Sequence, residues 1–134
     1  MRILIDTNIL LWSQFDPERL GDAVVRAIED PANEVLFSIA SIWEIAIKAS
    51  LGRADFHAGQ DGPITPRSIL EAARASDFTE MPIGAEAALA AGALPPYHRD
   101  PFDRLIVAQA MVEPATLFTS DGQLAAYSPL VKVV

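Results

Sequence analysis

Short apolar runs and amphipathic segments alternate along most of this chain. Apolar runs of strand length predict strands at 2–5 (RILI), 34–38 (EVLFS), 78–83 (FTEMPI), 115–120 (ATLFTS) and 130–134 (LVKVV). Apolar positions at helical spacing predict helices at 7–15, 17–30, 41–52, 66–76, 85–94, 100–113 and 122–127. Because strands and helices follow one another nearly throughout, the order predicts an α/β fold, with a mostly parallel sheet covered by helices on both faces.

Several of these helices carry signals for their ends. Thr65-Pro66 and Asp100-Pro101 each combine a favoured N-cap residue with proline at the first helical position. Gly52 stands where a helix C-terminus favours glycine. The segment 53–65 (RADFHAGQDGPIT) holds two glycines, a proline and scattered polar residues, so it is predicted to be a long surface loop.

Length and composition are typical of a folded globule. A chain of 134 residues is most simply one domain, and 51% apolar against 21% charged residues argues against disorder. There is no cysteine, which excludes disulfides and thiolate metal sites. The apolar N-terminal run is interrupted by Asp6 and Asn8, so neither a signal peptide nor a membrane span fits. Together these features favour a cytoplasmic protein without a membrane anchor.

The net charge of −8 argues against a protein that binds nucleic acid by bulk electrostatics alone. It does not exclude one that acts on nucleic acid locally. A cleft loaded with divalent cations inverts the local sign of the charge, so it attracts phosphate even in an acidic protein.

Acidic side chains fall at one edge of the predicted sheet. Asp6 directly follows the first predicted strand and Asp121 directly follows the fourth, so both should emerge at the carboxyl ends of strands. Asp103 and Glu44 lie in the early turns of helices that run back from the same edge. Carboxylates brought this close repel unless a cation neutralises them, and oxygen ligands suit Mg²⁺ or Mn²⁺. The usual work of such a site is phosphoryl chemistry with a metal-activated water.

The same aspartates also have structural explanations. Asp6 and Asp121 could simply cap the helices that follow their strands. Asp103 lies three residues after Asp100 and could form a reciprocal pair with it, in the manner of a capping box. Sequence alone leaves both interpretations open.

Glu44 caps nothing in the middle of SIWEIAI and needs a partner if it is buried; Lys48, four residues on, is the obvious one. Neighbouring residues could tune a metal shell through hydrogen bonds, or serve only as turn and cap residues: Thr7, Asn8, Thr119 and Ser120. Basic residues that could hold phosphates, or be solvated helix ends, are Lys48, Arg53, Arg99 and Arg104.

His57 and His98 are predicted at the surface because neither has metal-ligand spacing with another histidine. Trp12 and Trp43 are expected in the core or in an interface.

Four segments resemble the acid-bearing motifs of PIN-domain ribonucleases, and closely those of the VapC-type toxins of bacterial toxin–antitoxin pairs. They are ILIDTNILLW (3–12), SIASIWEIAIKASLGR (38–53), HRDPFDRLIVAQA (98–110) and LFTSDGQL (117–124), in the family's order. The resemblance implies that Asp6, Glu44 and Asp103 correspond to invariant acids and Asp121 to a further one. It also implies an α/β/α sandwich, a single PIN-like nuclease domain over 1–134, and usually a homodimer. A VapB-type antitoxin, encoded alongside, would insert a peptide into the cleft.

The activity that the resemblance implies is Mg²⁺- or Mn²⁺-dependent endonucleolytic hydrolysis of RNA, leaving a 5′-phosphate and a 3′-hydroxyl. On this hypothesis Asp6, Asp103 and Asp121 anchor one or two ions and Glu44 positions or activates the attacking water. A phosphatase of the haloacid dehalogenase type also begins with an aspartate after the first strand, but it needs a second aspartate where this chain has Asn8. A non-catalytic binding module, whose acids survive only as caps, is the other alternative.

Overall fold

The computed structural model describes residues 1–52 and 64–134, so nearly all of the predicted loop at 53–65 lies outside the described residues. In the described part, five parallel strands form one sheet in the order β3-β2-β1-β4-β5. The strands are β1 (Arg2–Ile5), β2 (Glu34–Ser38), β3 (Thr79–Met81), β4 (Thr116–Thr119) and β5 (Val131–Val133). The predicted α/β fold with a parallel sheet is therefore confirmed.

Helices cover both faces of this sheet. They are α1 (Thr7–Phe15), α2 (Asp22–Glu29), α3 (Ile39–Ser50), α4 (Pro66–Ala75), α5 (Ala85–Ala93) and α6 (Pro101–Val112). Two short 3-10 helices span Pro17–Arg19 and Gly122–Ala126. None of the helices in residues 1–52 and 64–134 combines the length and the apolar composition needed to cross a lipid bilayer.

The central strand β1 shows why the sheet needs helices on both sides. Ile3 and Ile5 pack into one buried cluster, with residues of α1 to α4, whereas Leu4 packs into a second cluster with residues of α6. Successive side chains of a strand point to opposite faces, so the continuous apolar run RILI fills two cores at once. The result is the three-layer α/β/α sandwich expected from the family resemblance.

The single helix predicted over 17–30 is wrong in its first third. Residues Pro17–Arg19 form a 3-10 helix, Leu20 is extended, and α2 begins only at Asp22 with Gly21 as its N-cap. Glycine is unfavourable inside a helix and acceptable at an N-cap, so the chain breaks the helix there.

Other helix ends follow the sequence signals more closely. Helix α3 begins at Ile39, two residues earlier than predicted, because the Ser38 hydroxyl accepts a hydrogen bond from the backbone N–H of Ala40 at 2.9 Å. Gly52 adopts a φ of +66° just after that helix, as the predicted C-terminal glycine should. Thr65 caps α4 by accepting from the backbone N–H of Ser68 at 3.0 Å.

The strand order reverses between β1 and β4, and that position defines a crevice at the carboxyl ends of both strands. Ile5 pairs with Phe118 at the last step of the β1–β4 register. The backbone N–H of Asp6 then donates to the carbonyl of Phe118 at 3.1 Å. The residues that follow these two strands therefore enter the same crevice side by side.

Candidate active site

Asp6 lies buried at the end of β1, with 4% of its surface exposed. Its Oδ1 accepts from the backbone N–H of Ile9 at 2.9 Å, so it caps α1 as the structural interpretation predicted. Its Oδ2 accepts from the Thr119 hydroxyl at 2.6 Å. Burial raises the pKa of Asp6 more than these two hydrogen bonds lower it, and the nearby charge of Glu44 raises it slightly further.

Glu44 is equally buried on the first turns of α3, also with 4% exposure. Its Oε1 accepts from the Thr7 hydroxyl at 2.7 Å, and its Oε2 accepts from Lys48 Nζ at 2.5 Å. The predicted i to i+4 partner is therefore present. Burial alone would lower the pKa of Lys48, but the Glu44 carboxylate raises it above its usual value. The pair holds Glu44 in one orientation at the crevice.

Asp103 faces the crevice from the first turn of α6 rather than pairing with Asp100. The Asp100 carboxylate caps the helix by accepting from the backbone N–H groups of Phe102 at 2.8 Å and Asp103 at 3.4 Å. The Asp103 carboxylate instead lies with Oδ2 2.9 Å from His98 Nε2. The capping-box alternative for Asp103 is wrong.

The electrostatic environment of Asp103 is strongly unfavourable to its negative charge. Burial, the charge of Asp100 and the charges of Glu44 and Asp6 raise its pKa from 3.8 to about 6, although the contact with His98 lowers it. Three of the four predicted acids therefore influence one another electrostatically.

His98 brings the fourth acid, Asp121, into the cluster. One nitrogen of its ring, Nε2, lies 2.9 Å from Asp103 Oδ2 and 3.0 Å from Asp121 Oδ2. The other oxygen of Asp121, Oδ1, accepts from the backbone N–H of Gln123 at 2.9 Å and so caps the second 3-10 helix. The predicted surface position of His98 is wrong, because only 17% of its side chain is exposed.

The position of His98 depends on two residues from elsewhere in the chain. Its backbone N–H donates to the Tyr127 hydroxyl at 2.9 Å. The guanidinium of Arg104 donates to the carbonyls of Ala91, Leu94, Pro95 and His98, at 2.9, 3.0, 3.0 and 3.4 Å. Arg104 thus braces the segment between α5 and α6, and it is neither a phosphate ligand nor a solvated helix end. The spacing of residues in the sequence does not predict these hydrogen bonds to the segment that carries His98.

The other predicted site residues occupy two kinds of position. Thr119 is buried between two acids, since it donates to Asp6 and accepts from the backbone N–H of Asp121 at 3.0 Å. The backbone N–H of Ser120 also lowers the pKa of Asp6. Asn8 and Arg99 are exposed, Asn8 on the first turn of α1 and Arg99 just before α6. Arg53 and His57 lie outside the described residues.

Trp43 is not a core residue, because 57% of it is exposed. Its ring packs edge to face with that of Phe102, with centroids 5.4 Å apart and planes at 82°. Trp43 directly precedes Glu44 on α3, and Phe102 directly precedes Asp103 on α6. An aromatic pair therefore lies next to two of the acids.

The donor set fits a divalent cation. His98 Nε2 and one carboxylate oxygen each of Asp103 and Asp121 all lie within 4.8 Å of one another. Carboxylate oxygens suit Mg²⁺ and Mn²⁺, and imidazole nitrogen suits transition metals. Asp6 adds a further charge close enough to raise the pKa of Asp103. Such a cluster can hold a cation and, through it, a phosphate group.

Comparison with known proteins gives a family match and several structural likenesses. The family model described as PIN domain matches residues 3–128. The fold resembles VapBC2 from Rickettsia felis bound to a promoter DNA fragment, with 16% identity, coverage of 100% of this chain and 98% of that chain, and a TM-score of 0.64. It also resembles a toxin-antitoxin complex from Klebsiella pneumoniae, with 22% identity and a TM-score of 0.61. That match covers 98% of this chain and 96% of the other. A third likeness is to FitAcB from Neisseria gonorrhoeae, with 19% identity and a TM-score of 0.56. It covers 92% of this chain and 91% of the other. No curated protein matches the chain.

Proposed function

Since this chain belongs to the PIN domain family, we propose that it is a metal-dependent endoribonuclease and the toxin of a toxin–antitoxin pair. The family resemblance drawn from the four sequence motifs is confirmed by the match over residues 3–128. The observation that carries the proposal is the meeting of Asp6, Glu44, Asp103 and Asp121 at the β1–β4 crevice. We treat residues 1–134 as a single nuclease domain.

In this proposal Asp6, Asp103 and Asp121 hold Mg²⁺ or Mn²⁺. When bound, such an ion lowers the pKa of a coordinated water and neutralises charge on a phosphodiester. Because the pKa of Asp103 is about 6, its carboxylate is mostly ionised near neutral pH and available as a ligand. Thr119 fixes the orientation of Asp6 through its 2.6 Å hydrogen bond.

Glu44 has the role of positioning the attacking water. The Thr7 hydroxyl and the Lys48 ammonium each hold one of its oxygens, which restrains the carboxylate on the wall of the crevice. Lys48 is half exposed, so its ammonium can also face a phosphate. With water as the nucleophile, the RNA 2′-hydroxyl takes no part in the reaction, and preference for RNA must come from binding.

Features around the acids support a single-stranded nucleic acid as substrate. The exposed ring of Trp43, which packs edge to face with Phe102, offers a surface on which an unstacked base can stack. Arg99 is exposed one residue before the cap of α6 and can contact a backbone phosphate.

The proposed partners follow from the structural likenesses. The structures from Rickettsia felis and Klebsiella pneumoniae are described as VapBC2 and as a toxin-antitoxin complex. By analogy we propose a VapB-type antitoxin whose peptide enters the crevice, a homodimer, and action in the cytoplasm where RNA is accessible. An antitoxin that covers the acids would block metal-dependent cleavage.

The test compares RNA cleavage by the wild type, Asp6→Asn, Asp103→Asn and the wild type with EDTA, with each fold checked by circular dichroism. Asp77→Asn is the matched control, because Asp77 is exposed and its φ of +60° suits asparagine equally well. We expect cleavage by the wild type and the control only, with 5′-phosphate ends. Cleavage by folded Asp103→Asn at the wild-type rate would refute the assignment of Asp103.

A non-catalytic binding module is a second candidate, because the structural roles of the acids are real. Asp6 and Asp121 cap helices, and Glu44 is paired with Lys48. Titration calorimetry with Mn²⁺ separates the two candidates. A protein whose acids serve only as caps should show no stoichiometric site, whereas the proposed nuclease should bind at least one ion.

A further inference from the structure

We propose that His98 is itself a ligand of the metal ion, together with Asp103 and Asp121, and that its nitrogen gives the site a preference for Mn²⁺ over Mg²⁺. This inference rests on the proposed metal-dependent function and deepens it. It adds a nitrogen donor to a site that the sequence motifs describe with acids alone.

The first argument is the separation of the donor atoms. His98 Nε2 lies 2.9 Å from one carboxylate oxygen and 3.0 Å from the other. Two donor atoms that share one ion through bonds of about 2.1 Å can lie about 3 Å apart, so both oxygens lie at a suitable distance from Nε2, and all three donor atoms are within 4.8 Å of one another. They also come from three parts of the chain: the segment before α6, the first turn of α6, and the turn that follows β4.

The second argument is the count of hydrogens. A ring nitrogen carries at most one hydrogen, and that hydrogen can point well at only one acceptor. Here two carboxylate oxygens, from Asp103 and Asp121, converge on the same Nε2. A hydrogen bond from His98 therefore reaches only one of them, and the other carboxylate oxygen must find its partner in solvent. A cation bound by all three donors satisfies both oxygens and accepts the lone pair of the nitrogen.

The third argument is that, within residues 1–52 and 64–134, no lysine or arginine forms an ion pair with Asp103 or Asp121. The charges of Asp100, Glu44 and Asp6 all act on Asp103. Lys48 lies against Glu44, and Arg104 is committed to backbone carbonyls. The Lys48 charge acts on Asp103 from a distance, but neither side chain forms an ion pair with Asp103 or Asp121. A bound cation would neutralise this pair of carboxylates directly.

The fourth argument is that the backbone that carries the imidazole is held in place before any ion binds. The backbone of His98 is fixed by Tyr127 and by the Arg104 guanidinium, and 17% of its side chain is exposed. A ligand held in this way loses little freedom when it coordinates. Since imidazole favours transition-metal ions and Mg²⁺ prefers oxygen ligands, the nitrogen should select Mn²⁺.

The decisive measurement is pulsed electron paramagnetic resonance on the wild type loaded with MnCl₂ alone. We expect a nitrogen hyperfine coupling to the bound Mn²⁺ that changes when the histidines are labelled with ¹⁵N. His98→Gln should lose this coupling. The chain contains one other histidine, so His57→Gln is the matched control and should keep it.

Calorimetry gives a second readout. His98→Gln should bind Mn²⁺ roughly tenfold more weakly, with a smaller loss for Mg²⁺, so the ratio of the two affinities should fall. A residue that only positions Asp103 and Asp121 should weaken both metals by the same factor. Equal factors would overturn the inference.

The outcomes also separate this inference from the proposed function. Metal binding and RNA cleavage without nitrogen coupling in the wild type would overturn the role of His98 and leave the nuclease intact. Nitrogen coupling without RNA cleavage would support the role of His98 and refute the nuclease. The inference is also overturned if the wild type shows no stoichiometric Mn²⁺ site, or if His57→Gln rather than His98→Gln removes the coupling.

Discussion

Replacing Asp103 with asparagine should stabilise the metal-free protein while removing the proposed metal-dependent activity. Burial is the main cause of the raised pKa of Asp103, and the charges of Asp100, Glu44 and Asp6 raise it further. A folded protein that must hold this group ionised carries an unfavourable energy, and neutral asparagine does not. The substitution thus exchanges function for stability at one position.

The magnitude follows from the pKa. A rise from 3.8 to about 6 corresponds to a penalty of up to ~3 kcal/mol in the folded state once the group is ionised. Because the folded pKa is the higher one, the penalty is absent below the unfolded value, grows between the two values, and is complete above about pH 6. The variant's neutral amide makes a weaker contact with His98 than the carboxylate does, which offsets part of this gain. We therefore expect the free energy of unfolding to rise by ~1–2 kcal/mol.

The assay is urea unfolding of wild type and Asp103→Asn in EDTA, at about pH 7.5 and about pH 4. The variant should be the more stable at the higher pH, and the difference should close at the lower pH, where wild-type Asp103 is protonated. Asp77→Asn, at an exposed position, should show no such pH dependence. A variant that is less stable than the wild type at about pH 7.5, or a difference that is the same at both pH values, would refute the reasoning.

Three further predictions test the parts of the site separately. Thr119→Val removes the 2.6 Å donor to buried Asp6 and should destabilise the protein by ~1–3 kcal/mol in urea unfolding, whereas Thr119→Ser should retain most of the stability. Arg104→Lys cannot reproduce the fork of hydrogen bonds that braces His98, so Mn²⁺ affinity in calorimetry should fall even in a folded variant; unchanged affinity would show that the brace is irrelevant. Trp43→Ala should raise the KM for single-stranded RNA by roughly tenfold with little change in kcat, while Trp43→Phe keeps a stacking face and should lose less.

Much of the fold was predictable because its strongest signals are local. The apolar run of β1 and the proline after Asp100 depend on near neighbours, and both predictions are confirmed. The helix predicted over 17–30 failed because apolar spacing continues through Gly21, while the backbone preference of glycine ends the helix there. Periodicity and backbone preference disagree at that position, and backbone preference decides the outcome.

Within the candidate site, the sequence predicts reliably only the side chains whose position follows from the sheet topology. The rule that parallel strands gather function at their carboxyl ends places Asp6 and Asp121 together without coordinates. The same rule says nothing of His98, whose position is set by Arg104 and Tyr127 through contacts that cross up to 29 residues of sequence. A histidine without a second histidine nearby in sequence looks like a surface residue, and only the tertiary brace makes it part of the cluster.

The structural and functional interpretations of the acids, which the sequence left as alternatives, are compatible because a carboxylate has two oxygens. Asp121 caps a helix with Oδ1 at 2.9 Å from the backbone N–H of Gln123 and turns Oδ2 toward His98 at 3.0 Å. Asp6 caps α1 with Oδ1, and its Oδ2 accepts from the Thr119 hydroxyl. The backbone N–H fixes the rotation of the carboxylate, so the second oxygen is aimed without help from a ligand. Capping would therefore preorganise Asp6 and Asp121 for the proposed role as metal ligands, and a cap observed at the carboxyl end of a parallel strand does not argue against a catalytic role.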